Sequence, residues 1–122
     1  MDRFLIIAGG RDFNNYLVAY SVIDRIVVEI LENGDNLVII EGGAKGADRI
    51  GREYAQEHGI PFITKEADWF TYGRAAGPIR NEIMAKMGTD LIAFWDGQSR
   101  GTKHMIKTAE SANLNVHIHY YS

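Results

Sequence analysis

The chain has 122 residues, 46% hydrophobic and 24% charged, with two prolines, no cysteine and a formal net charge of −3. The length suits one domain with its own core, and the composition excludes extended disorder. Lack of cysteine excludes disulfides, thiolate metal sites and a cysteine nucleophile, and is compatible with a reducing compartment.

The chain opens on Phe4-Leu5-Ile6-Ile7-Ala8, an apolar run too short for a signal peptide and followed by no cleavage pattern. It reads as a buried strand closed by Gly9-Gly10. From Asn14 to about Glu32, Tyr16, Ala19, Tyr20, Ile23, Ile26, Val27, Ile30 and Leu31 recur at helical spacing, and Asn33-Gly34 supplies the C-terminal stop. Leu37-Val38-Ile39-Ile40 is a second strand, ending in Gly42-Gly43, and Ala47, Ile50, Tyr54 and Ala55 mark a helix that stops at His58-Gly59. Pro61 to Thr64 begins a third strand. A loop with Asp68-Trp69-Phe70 and Gly73 follows, then a helix from about Pro78 to Met87. Leu91 to Trp95, residues 102–112 and Val116 to Tyr120 complete the series as strand, helix and strand. Strands alternating with helices predict an α/β fold over residues 1–122, a mostly parallel five-stranded sheet with helices on both faces. No stretch approaches the ~20 apolar residues of a membrane span, so a soluble cytoplasmic protein with no membrane partner is expected.

Three predicted strands end in polar glycine loops: Gly9-Gly10-Arg11-Asp12, then Glu41-Gly42-Gly43-Ala44-Lys45-Gly46-Ala47-Asp48, then Asp96-Gly97-Gln98-Ser99-Arg100-Gly101-Thr102. In a parallel sheet these gather at the carboxyl edge, where ligand crevices form. A phosphate needs several donors at close range, which glycine turns leading into helix N-termini supply. The amides of Gly42–Gly46 and Gly97–Thr102 are therefore the expected phosphate cradle, with Ser99 and Thr102 hydroxyls beside them. Arg11, Arg74 and Arg80 are the expected cations, and Asp48 or Asp96 the acceptors for ribose hydroxyls. Neither G-x-G-x-x-G nor a Lys-Ser/Thr-closed P-loop is present. Gly73-Arg74-Ala75-Ala76-Gly77-Pro78-Ile79-Arg80-Asn81 places Arg80 and Asn81 early on a helix, where a guanidinium holds phosphate bidentately or pairs with a surface carboxylate.

The four ordered motifs Gly9-Gly10-Arg11-Asp12-Phe13, Glu41 to Asp48, Gly77-Pro78-Ile79-Arg80-Asn81 and Asp96-Gly97-x-Ser99-x-Gly101-Thr102 resemble the SLOG superfamily, specifically its small YspA-like branch. That superfamily includes LOG-type nucleotide phosphoribohydrolases, the DNA-processing protein A family, and sensors of nucleotide-derived signals in bacterial and phage conflict systems. The resemblance implies a Rossmann-like three-layer sandwich and a site for nucleotide or ADP-ribose-like ligands. LOG-type enzymes carry a third-helix arginine, which Arg80 matches, and a glutamate just after the second Gly-Thr turn, where this chain has Lys103-His104-Met105-Ile106. Cleaving an N-glycosidic bond needs a carboxylate near the ribose; Glu41, Asp48, Glu82 and Asp96 stand in for it, with Arg80 and Glu41 the catalytic pair of an enzyme reading.

The leading expectation is therefore a protein that binds a phosphate-containing, nucleotide-derived small molecule, ADP-ribose-like or a cyclic nucleotide, as a signalling sensor or sequestering agent with no cofactor. N-glycosidic hydrolysis and single-stranded DNA binding are the alternatives. The acidic balance argues against nucleic acid as a partner. His58, His104, His117 and His119 have no metal-ligand spacing with a carboxylate, so no metal is expected. Trp69, Phe70 and Tyr72 stack a base above the pocket or pack against a second subunit. SLOG relatives commonly associate through helices beside the site, so a homo-oligomer is expected, with Tyr16, Tyr20 and Trp69-Phe70 at its contacts.

Overall fold

The computed structural model describes all of residues 1–122. The apolar runs form five strands, β1 (Asp2–Gly9), β2 (Asn36–Glu41), β3 (Phe62–Thr64), β4 (Asp90–Trp95) and β5 (Asn115–Tyr120). All pair in parallel, in the order β3-β2-β1-β4-β5. Continuous apolar runs fit this sheet because parallel strands are covered on both faces. Leu5, Ile7, Ile39, Ile92 and Phe94 enter one core. Their neighbours Ile6, Ala8, Ile40, Leu91 and Ala93 enter the other, as the two-residue period of a strand requires.

Helices α1 (Tyr16–Glu32) and α2 (Ala47–Glu57) close the first core. Helices α4 (Ala76–Met87) and α5 (Arg100–Ser111) close the second. The result is the expected α/β three-layer sandwich, with its sheet parallel throughout rather than mostly so. Asn15 caps α1, its Oδ1 accepting from the Val18 amide at 3.1 Å. The buried stripe of α1 is Ala19, Val22, Ile23, Ile26, Val27 and Ile30. Leu31 lies one residue past that stripe and is exposed, while Val22 takes an inward place the spacing did not mark. No helix is long and apolar enough to cross a membrane.

Residues 69–75 differ from the expected loop. Asp68 Oδ1 accepts from the Thr71 amide at 3.0 Å and starts a one-turn helix, α3 (Trp69–Tyr72). A 3-10 turn, Gly73–Ala75, then runs straight into α4, which begins two residues before Pro78. Proline is tolerated there because an amide in the first turn has no helical partner to lose.

At the amino ends of the strands a second feature fixes the register. Arg3 Nη2 and Nε donate to the two oxygens of Asp90 at 2.7 and 3.0 Å, and Nη1 donates to Asp35 at 3.1 Å. Thr89 and Asn115 also donate to Asp90, which is only 1% exposed. Burial works against the Asp90 carboxylate, but the donors led by Arg3 overcome it and hold its pKa below the ordinary carboxylate range. A depressed carboxylate stabilises the fold above its unfolded pKa, and that contribution is lost as pH falls below about 4. Asp90→Ala should therefore cost about 3 kcal/mol at neutral pH, because Arg3 keeps its charge with no bidentate partner. Thermal melts from pH 7 to pH 3 check this: the wild-type advantage over the variant should shrink with acid.

Candidate functional site

The chain order reverses between β1 and β4, which are neighbours in the sheet although helices α1 to α4 and two strands separate them in sequence. Beyond their carboxyl ends lies a cavity of about 750 Å³, within the usual range for small-molecule sites. The connection after β1 contributes Gly9, Gly10, Arg11 and Asp12, and the connection after β2 contributes Ala44 and Asp48. From the β4–α5 side come Asp96, Ser99, Arg100, Gly101 and Thr102, joined by His104 and Met105 on α5. Arg80, Asn81, Gly77, Pro78 and Met84 of α4 and Trp69 of α3 complete the wall.

The first loop is joined through backbone to the end of β4 and to the second loop. The Gly10 amide donates to the Phe94 carbonyl at 3.1 Å, and the Ala47 amide donates to the Gly10 carbonyl at 3.2 Å. Gly46 makes the second contact feasible: its φ is +77°, and a Cβ there would stand 2.2 Å from the Gly10 oxygen. Its role is to seat one loop on the other.

The β2–α2 loop departs from the expected phosphate cradle. Asp48 Oδ2 accepts from the amides of Gly42 and Ala44 at 3.1 and 3.2 Å, and Glu41 Oε1 accepts from the Gly43 amide at 2.7 Å. Three of the amides expected to hold a ligand, those of Gly42, Gly43 and Ala44, are thus taken by the protein's own carboxylates. Asp48, expected as a ribose acceptor, does line the cavity but commits its Oδ2 to its own loop. Glu41 is fully buried, holds the Gly43 amide and the Thr64 hydroxyl, and does not line the cavity. The expected catalytic use of Glu41 is therefore not supported by its position. Gly42, Gly43, Lys45, Gly46, Arg74 and Gly97 also lie outside the cavity lining; Lys45, Arg74 and Gly97 are on the exposed surface.

Arg80 is built into this loop. Its Nη1 donates to the Gly42 carbonyl at 2.7 Å and its Nε to Asn81 Oδ1 at 3.1 Å. A Cβ on residue 42 would fall 2.2 Å from Nη1, so the glycine is there to admit the guanidinium. Asn81, almost fully buried, reaches across with Nδ2 to the Gly101 carbonyl at 3.4 Å and to His104 Nδ1 at 3.2 Å. It ties α4 to the start of α5.

That start of α5 is where open amides remain. Asp96 Oδ1 accepts from the amides of Gln98 and Ser99 at 2.9 and 2.8 Å, and Trp95 Nε1 donates to the Ser99 carbonyl at 3.0 Å. The Ser99 and Gln98 amides hold the Asp96 carboxyl below its ordinary range. The Ser99 carbonyl takes its first helical bond from the Lys103 amide, so the amides of Arg100, Gly101 and Thr102 precede the ladder and have no partner in it. From sequence, His104 is weighed only as a metal ligand and Arg100 only as part of the third loop, and neither is named as a ligand-site residue; a helix period counted from Gly101 places His104 beside it.

A family model described as the YspA, cpYpsA-related SLOG family (YAcAr) matches residues 4–72, more than half of the 122 residues. The chain belongs to that SLOG family. The Gene 61 protein of Mycobacterium phage D29 is 33% identical over 121 residues, spanning 93% of this chain and 94% of that protein. Among solved structures, DNA processing protein A (DprA) from Streptococcus pneumoniae matches all of this SLOG chain with a TM-score of 0.71 and 20% identity. The chain spans about half of that structure, 51%, and at this identity the likeness establishes the shared Rossmann-like fold.

In this SLOG domain the cavity charge turns on Asp48. Burial pushes its pKa up to about 6, against the opposing pull of the Ala44 amide and the Arg80 guanidinium, with Glu41 adding to the rise. A raised carboxyl favours the folded state fully below its unfolded pKa, and that contribution is lost as pH climbs through about 6. Asp48→Asn keeps an acceptor for the two amides without the charge. Melts of both proteins from pH 5 to pH 8 should show the variant gaining on wild type as pH rises, by about 1.5 kcal/mol.

Proposed function

We propose that the cavity binds a phosphate-bearing, nucleotide-derived small molecule, of ADP-ribose or cyclic-nucleotide type, and serves to sense or sequester it. The observation that carries this reading is the meeting of the open Gly101 and Thr102 amides with Arg11, Arg80 and Arg100 in one cavity. A helix N-terminus supplies directed donors and a partial positive charge, and guanidinium groups add a bidentate match to phosphate oxygens. Arg80 makes no ion pair within 4 Å, and Nη2, which has no bond inside the protein, is the nitrogen it offers an anion. The anion is assigned to the α5 end rather than to the β2–α2 loop, where the Gly42, Gly43 and Ala44 amides are occupied and Gly42, Gly43, Lys45 and Gly46 do not line the cavity. Asp12 and Asp96 on the rim supply acceptors for sugar hydroxyls.

Calorimetry against ADP-ribose, AMP and cyclic AMP tests the assignment, with mass spectrometry of any ligand released from the purified protein. Arg11→Gln and Arg100→Gln should each weaken binding roughly tenfold, the expected loss for one charge-assisted hydrogen bond. Absence of binding to every nucleotide, with a single-stranded oligonucleotide shifted at low salt instead, would overturn the reading.

A second reading, N-glycosidic hydrolysis, is favoured by one observation: Asp48 lines the cavity and bonds its loop through Oδ2 alone, leaving Oδ1 for a substrate, while burial raises its pKa in the direction a general acid needs. In this reading Asp48 takes the role expected of Glu41. Nucleoside monophosphates should then release free base, and Asp48→Asn should lower that release at least a hundredfold. Chromatography of the incubated nucleotides decides it.

A further inference from the structure

Helix α3 places three aromatic residues next to the cavity, but Trp69 alone among them lines it. Phe70 and Tyr72 are not part of the wall, which separates two roles that sequence could not separate. Trp69 is a large apolar ring with 49% of its surface exposed. Its helix is anchored at its start by Asp68, whose side chain accepts from the Thr71 amide and whose carbonyl accepts from the Tyr72 amide at 3.0 Å. The ring edge lies against Gly77 of α4, where an added Cβ would stand 3.3 Å from Cη2. A side chain at 77 would crowd the indole; the glycine leaves it room to lie along the cavity wall.

The remaining chemistry of the cavity is divided. Pro78, Met84 and Met105 give it an apolar lining, whereas the arginines and the α5 amides give it an anion site. A volume of about 750 Å³ is many times the ~30 Å³ share of one water, so a bare phosphate would leave most of it unfilled. A flat aromatic group on the same ligand fills that space and meets an exposed π face.

We infer that Trp69 is the stacking face for the nucleobase, so that the site takes base-bearing nucleotides in preference to sugar phosphates. This rests on the anion assignment above. AMP and ribose 5-phosphate differ only by the base, so their comparison isolates it. Calorimetry on the full chain should show AMP bound more tightly than ribose 5-phosphate. Trp69→Ala should weaken AMP and ADP-ribose by roughly tenfold to a hundredfold and leave ribose 5-phosphate unchanged. Trp69→Phe, which keeps a π face, should retain most of the affinity. Indole fluorescence should be quenched by AMP in wild type and unchanged in Trp69→Phe, whose remaining indole is Trp95; this readout serves even where the alanine variant does not fold. Equal losses for AMP and ribose 5-phosphate in Trp69→Ala, or no loss for either, would overturn the inference while leaving the anion site standing. A wild-type protein that binds none of the three ligands would remove both.

Discussion

One buried carboxylate organises the carboxyl edge of the sheet. Asp48 sits at the first turn of α2, accepts from two amides of the loop that precedes it, and faces Arg80 of α4. A loop of glycines would otherwise be costly to order, because glycine loses the most backbone freedom on folding. Asp48 offsets that cost by satisfying donors that have no ladder to join. Arg80 donates to the Gly42 carbonyl of the same loop at 2.7 Å. Loop, carboxylate and guanidinium therefore form one unit, and none of the three has its geometry without the others.

This unit changes where an anion can go. A phosphate placed on Gly42 and Ala44 would have to displace a carboxylate that is already buried and bonded, and two anions would then compete for the same donors. At the opposite wall the competition is absent. Asp96 spends its oxygen on the turn before α5, capping Gln98 and Ser99, and so leaves the next amides free. One glycine loop is closed by its own acid; the other is shaped by its acid and left open. The net charge of −3 says nothing of this, because potential inside a cavity depends on which charges line it and how far each is already paired.

The fold was legible because periodicity reports burial, and burial on two faces is what a parallel strand between helices demands. Leu5-Ile6-Ile7 and Leu91-Ile92-Ala93 carried that signal without ambiguity. Residues 69–75 did not, since one turn of helix is too short to show a period and depends on a single cap from Asp68. Convergence of the three loops was likewise readable, following from strand direction alone. The division of labour among the glycines was not. Gly42 and Gly46 look like phosphate-loop glycines in sequence, yet each is needed because another part of the chain, Arg80 or the Gly10 carbonyl, comes within 2.2 Å of where its side chain would be. Such contacts join residues 36 or 38 apart and leave no trace in local spacing. Glu41 was misjudged for the same reason: its partner Thr64 is on the next strand.

The two ends of the sheet carry different burdens, and this bears on how the site can vary. The Arg3–Asp90 pair and its donors lock β1 to β4 at the amino ends, and the two cores bury the strand interiors. The carboxyl ends of those same strands then need not be held by the cavity wall. Arg11, Arg100, Trp69 and Pro78 line the cavity while being exposed, so replacing them removes little buried surface and leaves few unpaired groups. Asp48, Asn81 and Arg80 are different, because each also joins elements. Recognition can therefore change through the exposed set at little cost to folding, whereas the joining set constrains both at once. A domain so divided fixes the frame of its cavity through Asp48, Asn81 and Arg80 and leaves the exposed part of the lining to residues the fold does not need.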